Sequence, residues 1–105
     1  MKIKGSAIRI GEFVHWGITI HTCLLSELFD MGRMPKPSVS QMTRDDWDYI
    51  YMDIGYEEGF VLEDDSFVDR YEAANIAVET QQIESKAECY RRDELHLPDV
   101  YHALA

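Results

Sequence analysis

The sequence has no long apolar run, few cysteines and no secretion signal. Its hydrophobic stretches fall far short of the ~20 residues that a transmembrane helix needs, and no cationic start followed by an apolar segment marks a signal peptide. Cys23 and Cys89 are the two cysteines. Without a secretion signal they are expected to be reduced thiols, so no disulfide is predicted. We therefore expect a soluble intracellular protein that does not bind membranes.

Positive charge is scarce and unevenly placed. The chain has 10 Lys and Arg against 20 Asp and Glu, for a net charge of −10. Residues 1–36 carry five basic and three acidic groups, whereas residues 37–105 carry five basic and 17 acidic groups. Such a surface repels DNA and anionic membranes. A DNA-binding function is therefore not expected, although a few convergent cations can still hold a small anion.

The chain also lacks the patterns of common catalytic and metal sites. His15 and His21 are six residues apart, as are His96 and His102, whereas zinc ligands on a helix are four apart. No histidine is followed two residues later by Ser or Thr, as in two-histidine phosphodiesterases, and no glycine-rich phosphate loop or nucleophile elbow occurs. The sequence predicts no enzyme, no metal site and no cofactor.

At 105 residues, with 46% hydrophobic and 11% aromatic content, the chain is long enough for one folded domain. Its start predicts a β-hairpin turning at Gly11 and Glu12, with a second strand reaching about Ile20. Period-2 alternation then divides that strand into two faces. The face predicted to pack contains Val14, Trp16, Ile18 and Ile20, and the more polar face contains Phe13, His15, Gly17 and Thr19.

The next segments predict a helix, a loop and a strand. Leucine spacing and a closing Gly32 predict a helix from His21 to Met31. Two prolines predict a loop from Arg33 to Met42. Asp48 to Asp53 alternates like a strand, which we favour over a short helix capped from Thr43.

The stretch from residue 58 to 83 is the most informative. An apolar run at 59–62 and a piece at 66–68 flank an acidic turn and predict a hairpin. A helix follows after Asp69, which forms a capping box with Glu72, and its packing stripe includes Tyr71. Residues 83–88 read as a polar linker, and the end reads as a weak segment broken by Pro98.

These elements predict an α+β fold, a small antiparallel sheet packed by two α-helices in a single domain. Its parts are an N-terminal hairpin and helix (1–32), a loop (33–42), strands and the central helix (43–83) and a C-terminal segment (84–105).

Several residues have side chains suited to holding a nucleotide. Arg70 is the one basic residue among eleven carboxylates between residues 45 and 72. It lies at a helix start, where free amides favour anions, although it could instead pair with Asp64, Asp65 or Glu72. Asn75 offers donor and acceptor groups for ribose or base edges. Two further arginines, Arg91 and Arg92, can bind phosphate through forked hydrogen bonds. Aromatic rings can stack on bases unless they belong to the core, and the candidates are Trp16, Tyr56, Phe60 and Phe67.

One pattern resembles a motif of small phage-encoded proteins. It is carried by Gly59, Phe60, Phe67, Val68, Asp69, Arg70, Glu72, Ala73, Ile76, Ala77, Gln82 and Ile83. Among the proteins that it resembles are the Thoeris anti-defence sponges of the first type, which hold cyclic ADP-ribose isomers without cleaving them. The N-terminal strand of that family runs into a Gly-x-x-His step, and here the step from Gly17 to His21 is one residue longer.

The resemblance implies a phage protein that sequesters a cyclic ADP-ribose-type signal in the cytoplasm of the infected bacterial host. It implies ligand contacts at Phe67 and Arg70, and further ones at Trp16, His21, Asn75 and Arg92. Because a chain this small builds a deep pocket more easily between subunits, we expect a homo-oligomer, a dimer or higher. The alternative is an acidic inhibitor that binds a protein by mimicking nucleic acid.

Overall fold

The computed structural model describes residues 1–30, 55–89, 91 and 93–104. The elements of this part are listed in chain order: β1 (Ile3–Ile10), β2 (Phe13–Gly17), α1 (His21–Asp30), β3 (Tyr56–Leu62), β4 (Phe67–Asp69), α2 (Arg70–Glu79), a 3-10 helix (Lys86–Glu88) and α3 (Leu97–Leu104). The predicted loop at 33–42 and the predicted strand at Asp48–Asp53 lie outside the described residues.

The four described strands form one antiparallel sheet in the order β2-β1-β3-β4. The predicted N-terminal hairpin is confirmed, with Ile10 paired to Phe13 across the turn. The second predicted hairpin is also confirmed, with Val61 paired to Phe67. The α+β class and the small antiparallel sheet are therefore as predicted.

β2 differs from its prediction in length and in orientation. It ends at Gly17 rather than near Ile20, because the Ser6 hydroxyl donates to the carbonyl oxygens of Gly17 and Thr19 and fixes a turn there. Trp16 is 43% exposed, so the face predicted to pack is the outer one. α1 instead folds back onto the other face, where His15 lies 3.4 Å from Glu27.

α2 begins as its capping box predicts. The Asp69 side chain accepts a hydrogen bond from the backbone N–H of Glu72 at 2.8 Å. The buried residues of the helix are Ala73, Ala74 and Ala77. Tyr71 does not share this stripe and is 58% exposed, because it lies roughly 110° around the helix axis from the centre of the three alanines.

α2 ends at Glu79, before Ile83, where the polar linker was predicted to begin. The backbone N–H of Gln82 donates to Ala77 O at 2.8 Å, and that of Gln81 donates to Val78 O at 3.1 Å. These are the two bonds of a Schellman motif. Gln81 occupies its left-handed position, with φ of 62°, where glycine is the usual residue.

The C-terminal region is more ordered than its sequence suggests. The predicted linker contains the 3-10 helix, and Ile83 is buried rather than part of a polar linker. Pro98 does not break the last segment but lies in the first turn of α3, where a missing N–H is tolerated. The Asp99 carboxylate accepts from the backbone N–H of His96 at 2.8 Å and caps this helix.

The core lies between the sheet and the helices in two clusters. One joins α1 to the N-terminal hairpin and is centred on Ile8 and Leu24. The other joins α2 and α3 to the sheet and is centred on Phe60. Gln82 fastens the second cluster, because its side-chain amide donates to Ile3 O at 2.9 Å and accepts from Ile3 N at 3.0 Å.

The opposite face of the sheet is covered by its own aromatic rings. A Cβ on Gly5 would lie 2.6 Å from the Trp16 ring, and a Cβ on Gly59 would lie 2.6 Å from the Phe67 ring. Each ring thus lies against a glycine of the neighbouring strand. None of the described helices has the length and apolar character needed to cross a lipid bilayer.

Candidate functional site

Arg70 is the centre of the candidate site. It is the first residue of α2, and its side chain is 15% exposed. Nη1 donates to Leu95 O at 2.7 Å, and Nη2 donates to Nδ1 of His21 at 3.1 Å and to Oε2 of Glu58 at 2.7 Å. Its acidic partner is therefore Glu58, and the pairings considered with Asp64, Asp65 or Glu72 are wrong.

His21 is held as a neutral imidazole. Its Nε2 lies 2.8 Å from the carbonyl oxygen of Gly59, which can only accept a hydrogen bond. Nε2 therefore carries the proton, and Nδ1 accepts from the Arg70 guanidinium. Burial, together with the positive charge of Arg70, lowers the pKa of His21 to about 4. The Phe60 ring packs edge-on against the imidazole at 5.5 Å.

The His21–Arg70 pair lies in the wall of a cleft of about 450 Å³. α1, β3, α2 and the start of α3 meet here, since each begins or passes at the same edge of the core. The residues lining the cleft are Ile20, His21, Thr22, Glu58, Arg70, His96, Leu97 and Pro98. The cleft therefore combines apolar surface with one guanidinium, one carboxylate and two imidazoles.

A second, smaller cleft of about 280 Å³ shares Arg70 and Glu58 with the first. It is lined by Glu57, Glu58, Asp69, Arg70, Tyr71 and Glu94. Four of these six residues carry carboxylates, so this cleft is strongly acidic. The Arg70–Glu58 ion pair thus lines both an apolar cleft and an acidic one.

Of the predicted ligand residues, the structure brings together His21 and Arg70. Trp16 and Phe67 lie on the opposite face of the sheet, and a cation of the same chain covers each ring. Lys4 Nζ lies 4.5 Å from the Trp16 ring centroid, and the Arg9 guanidinium lies 4.5 Å from that of Phe67. These rings therefore cannot stack on a ligand held by Arg70.

The other predicted residues do not line the clefts. Asn75 is exposed on α2, and Arg91 is exposed and bridges to Glu94 through its backbone. Tyr56 and Phe60, considered as stacking rings, are buried in the core. Arg92 lies outside the described residues.

Sequence reasoning missed Glu58 and His96. Glu58 shares the helix-covered face of β3 with Tyr56 and Phe60, because every second residue of a strand lies on the same face. A strand predicted to begin at Tyr56 would have placed Glu58 on that face. No local signal was available for His96, because only the packing of α3 against the sheet brings it to the cleft. Within the described residues, no group of three or more His, Cys, Asp and Glu is arranged to hold a metal ion.

A family model described as phage T4 y16D protein matches residues 2–101. The chain belongs to this family. The expectation of a phage protein is therefore confirmed, while the family description names no ligand, reaction or partner. Searches of curated proteins and of solved structures gave no significant match.

Proposed function

We propose that this phage protein binds a cyclic ADP-ribose isomer and sequesters it, without cleavage, in the cytoplasm of the infected host. The observation that carries the proposal is the Arg70 guanidinium, fixed by three contacts in the wall of a cleft. An arginine ordered before binding loses little further freedom when it grips a phosphate.

The size and lining of the cleft support a nucleotide ligand. Its volume of about 450 Å³ falls within the roughly 300–1,000 Å³ of small-molecule sites. Leu97 and Pro98 supply apolar wall for a base, while Arg70 lies at the start of α2.

The state of His21 supports binding without catalysis. A general base needs a free nitrogen and a pKa near the working pH. Both ring nitrogens of His21 are engaged, and its pKa is about 4. We therefore assign His21 the role of orienting Arg70.

The proposal includes a homo-oligomer, a dimer or higher. Ile18 and Ile20 are each more than 40% exposed, and Ile20 lines the cleft. Exposed apolar groups that adjoin a site favour a covering partner. Native mass spectrometry reports subunit number and retained ligand together, and a ligand-free monomer would contradict this part of the proposal.

The acidic inhibitor is the second candidate. The observation that favours it is the β3–β4 turn, where Glu63, Asp64 and Asp65 are all exposed. This turn adds to a net charge of −10 and could imitate a run of phosphates. It lies apart from the residues that line the Arg70 cleft, so substitutions can separate the two functions.

Calorimetry with cyclic ADP-ribose isomers tests the proposed function. We expect the parent protein to bind and Arg70→Ala to lose about 30-fold or more in affinity, since a desolvated charge pair is broken. Lys86→Ala is the control, because it also removes one positive charge, at a residue of the 3-10 helix that lines neither cleft. Equal affinity for both variants, with normal thermal melts, would contradict the assignment.

A further inference from the structure

Glu58 occupies the contact of Arg70 at which an anionic ligand would bind. Its Oε2 lies 2.7 Å from Nη2, and its side chain is 34% exposed, against 15% for Arg70. Glu58 is thus the more exposed partner of the ion pair, and it lines both clefts together with Arg70. A phosphate that approaches Arg70 from either cleft also approaches this carboxylate.

The hydrogen bonds of Arg70 show which of its N–H donors Glu58 occupies. A guanidinium has five N–H donors. Both hydrogens of Nη2 are used, by His21 and Glu58, and one hydrogen of Nη1 is used by Leu95 O. Leu95 lines neither cleft, whereas His21 lines the larger one and Glu58 lines both. Glu58 is the charged acceptor among the three, so an anion that makes a forked contact through Nη2 has to replace it.

We infer that Glu58 is a resident counter-ion that a ligand phosphate must displace from Arg70, and that this competition restricts the site to strongly charged phosphates. The inference rests on the proposed function for the identity of the cleft as a ligand site. A carboxylate carries one negative charge, so an anion of equal charge gains little by replacing it. A pyrophosphate carries more charge and more acceptor oxygens and gains a stronger forked contact.

The acidic cleft strengthens this selection. Glu58 also lines the smaller cleft beside Glu57, Asp69 and Glu94, so displacement into that cleft would bring it close to three further carboxylates. Like charges repel one another there. Displacement therefore has a cost that only a strongly bound anion offsets, and weak cellular anions such as acetate or chloride are excluded.

The variant Glu58→Gln tests the inference, because its amide oxygen still accepts from Nη2 while the competing charge is gone. We expect pyrophosphate and AMP to bind about tenfold more tightly than to the parent, as for a partly desolvated charge pair. Arg70→Gln added to this variant should abolish the gain. Glu79→Gln, exposed at the other end of α2, removes one charge as well and should change affinity less than twofold.

The outcomes separate this inference from the proposed function. Unchanged or weaker pyrophosphate binding by a folded Glu58→Gln protein would overturn the inference, even if the parent binds cyclic ADP-ribose. An Arg70-dependent gain would uphold it, even if the parent fails to bind cyclic ADP-ribose. Glu58→Ala is the second variant. If neither variant folds, the inference is also overturned, because a displaceable anion cannot be essential to the fold.

Discussion

The Arg70 guanidinium donates a hydrogen bond to Nδ1 of His21 at 3.1 Å. Arg70 thus contacts a histidine that must stay neutral, because a proton on Nδ1 of His21 would point at a guanidinium N–H. The other nitrogen of His21 is bound to Gly59 O. The contact therefore links the starts of α1 and α2 to β3, and it couples the candidate site to pH.

We predict that acid destabilises the protein through His21. Its pKa is 6.5 when exposed and about 4 in the fold, so below pH 6.5 the unfolded chain takes up a proton that the folded protein does not. The contribution of His21 to the free energy of unfolding is complete above pH 6.5 and falls between pH 6.5 and 4. The full loss is on the order of 3 kcal/mol, at about 1.4 kcal/mol per pH unit.

The variant His21→Gln isolates this effect. A glutamine amide can donate to Gly59 O and accept from Arg70, but it does not titrate. Urea unfolding of both proteins between pH 7 and 4.5 should show a steeper loss of stability in the parent. Parallel pH profiles would show that His21 does not carry the effect.

Gly59→Ala should be strongly destabilising, by about 3 kcal/mol or more, in the upper part of the range for overpacked cores. The added methyl group would overlap the Val68 carbonyl oxygen and meet the Phe67 ring. Thermal melts should show that Phe67→Ala does not rescue this variant, because the Val68 contact is with backbone. A melting temperature equal to that of the parent would contradict the close approach of β3 and β4 at Gly59.

Gln82→Ala should cost about 2–6 kcal/mol, because it removes the side-chain partners of the buried N–H and C=O of Ile3, at roughly 1–3 kcal/mol each. Gln81→Ala is the matched control, since Gln81 is the exposed neighbour in the same turn. Equilibrium unfolding in urea measures both. Equal costs would show that the Gln82–Ile3 contact does not stabilise the fold.

Neutralising the acidic turn should leave ligand binding intact. The double variant Glu63→Gln, Asp65→Asn removes two exposed charges remote from the cleft, so affinity for cyclic ADP-ribose should stay the same or rise slightly. Calorimetry and a phage-protection assay should be run together. Lost protection by the double variant, with no ligand affinity in the parent, would favour the acidic inhibitor.

The phage motif identified the fold better than it identified the site. The fold explains most of its residues: Phe60, Val68, Ala73, Ala77 and Ile83 are buried in the core, Asp69 caps α2, and Gln82 binds Ile3. Arg70 is the motif residue whose hydrogen bonds face a cleft. A local pattern could therefore predict the hairpins and the start of α2.

The features that the sequence did not predict depend on long-range packing. The alternation in β2 was correct, but which face turns inward is decided by where α1 folds back, so Trp16 was assigned to the wrong side. Gln81 ends α2 in a left-handed conformation without a glycine. Glu58 and His96 reach Arg70 from positions 12 residues before it and 26 residues after it, and no spacing rule joins such positions.

The most direct test of the central claim is recovery of the ligand from the complex. The protein is loaded with a cyclic ADP-ribose isomer, separated from free nucleotide and denatured by heat, and the released nucleotide is identified by mass spectrometry. The parent and Lys86→Ala should release stoichiometric, unmodified cyclic nucleotide, whereas Arg70→Ala should release almost none. No retained nucleotide in the parent, or a linear or hydrolysed product, would contradict sequestration at Arg70.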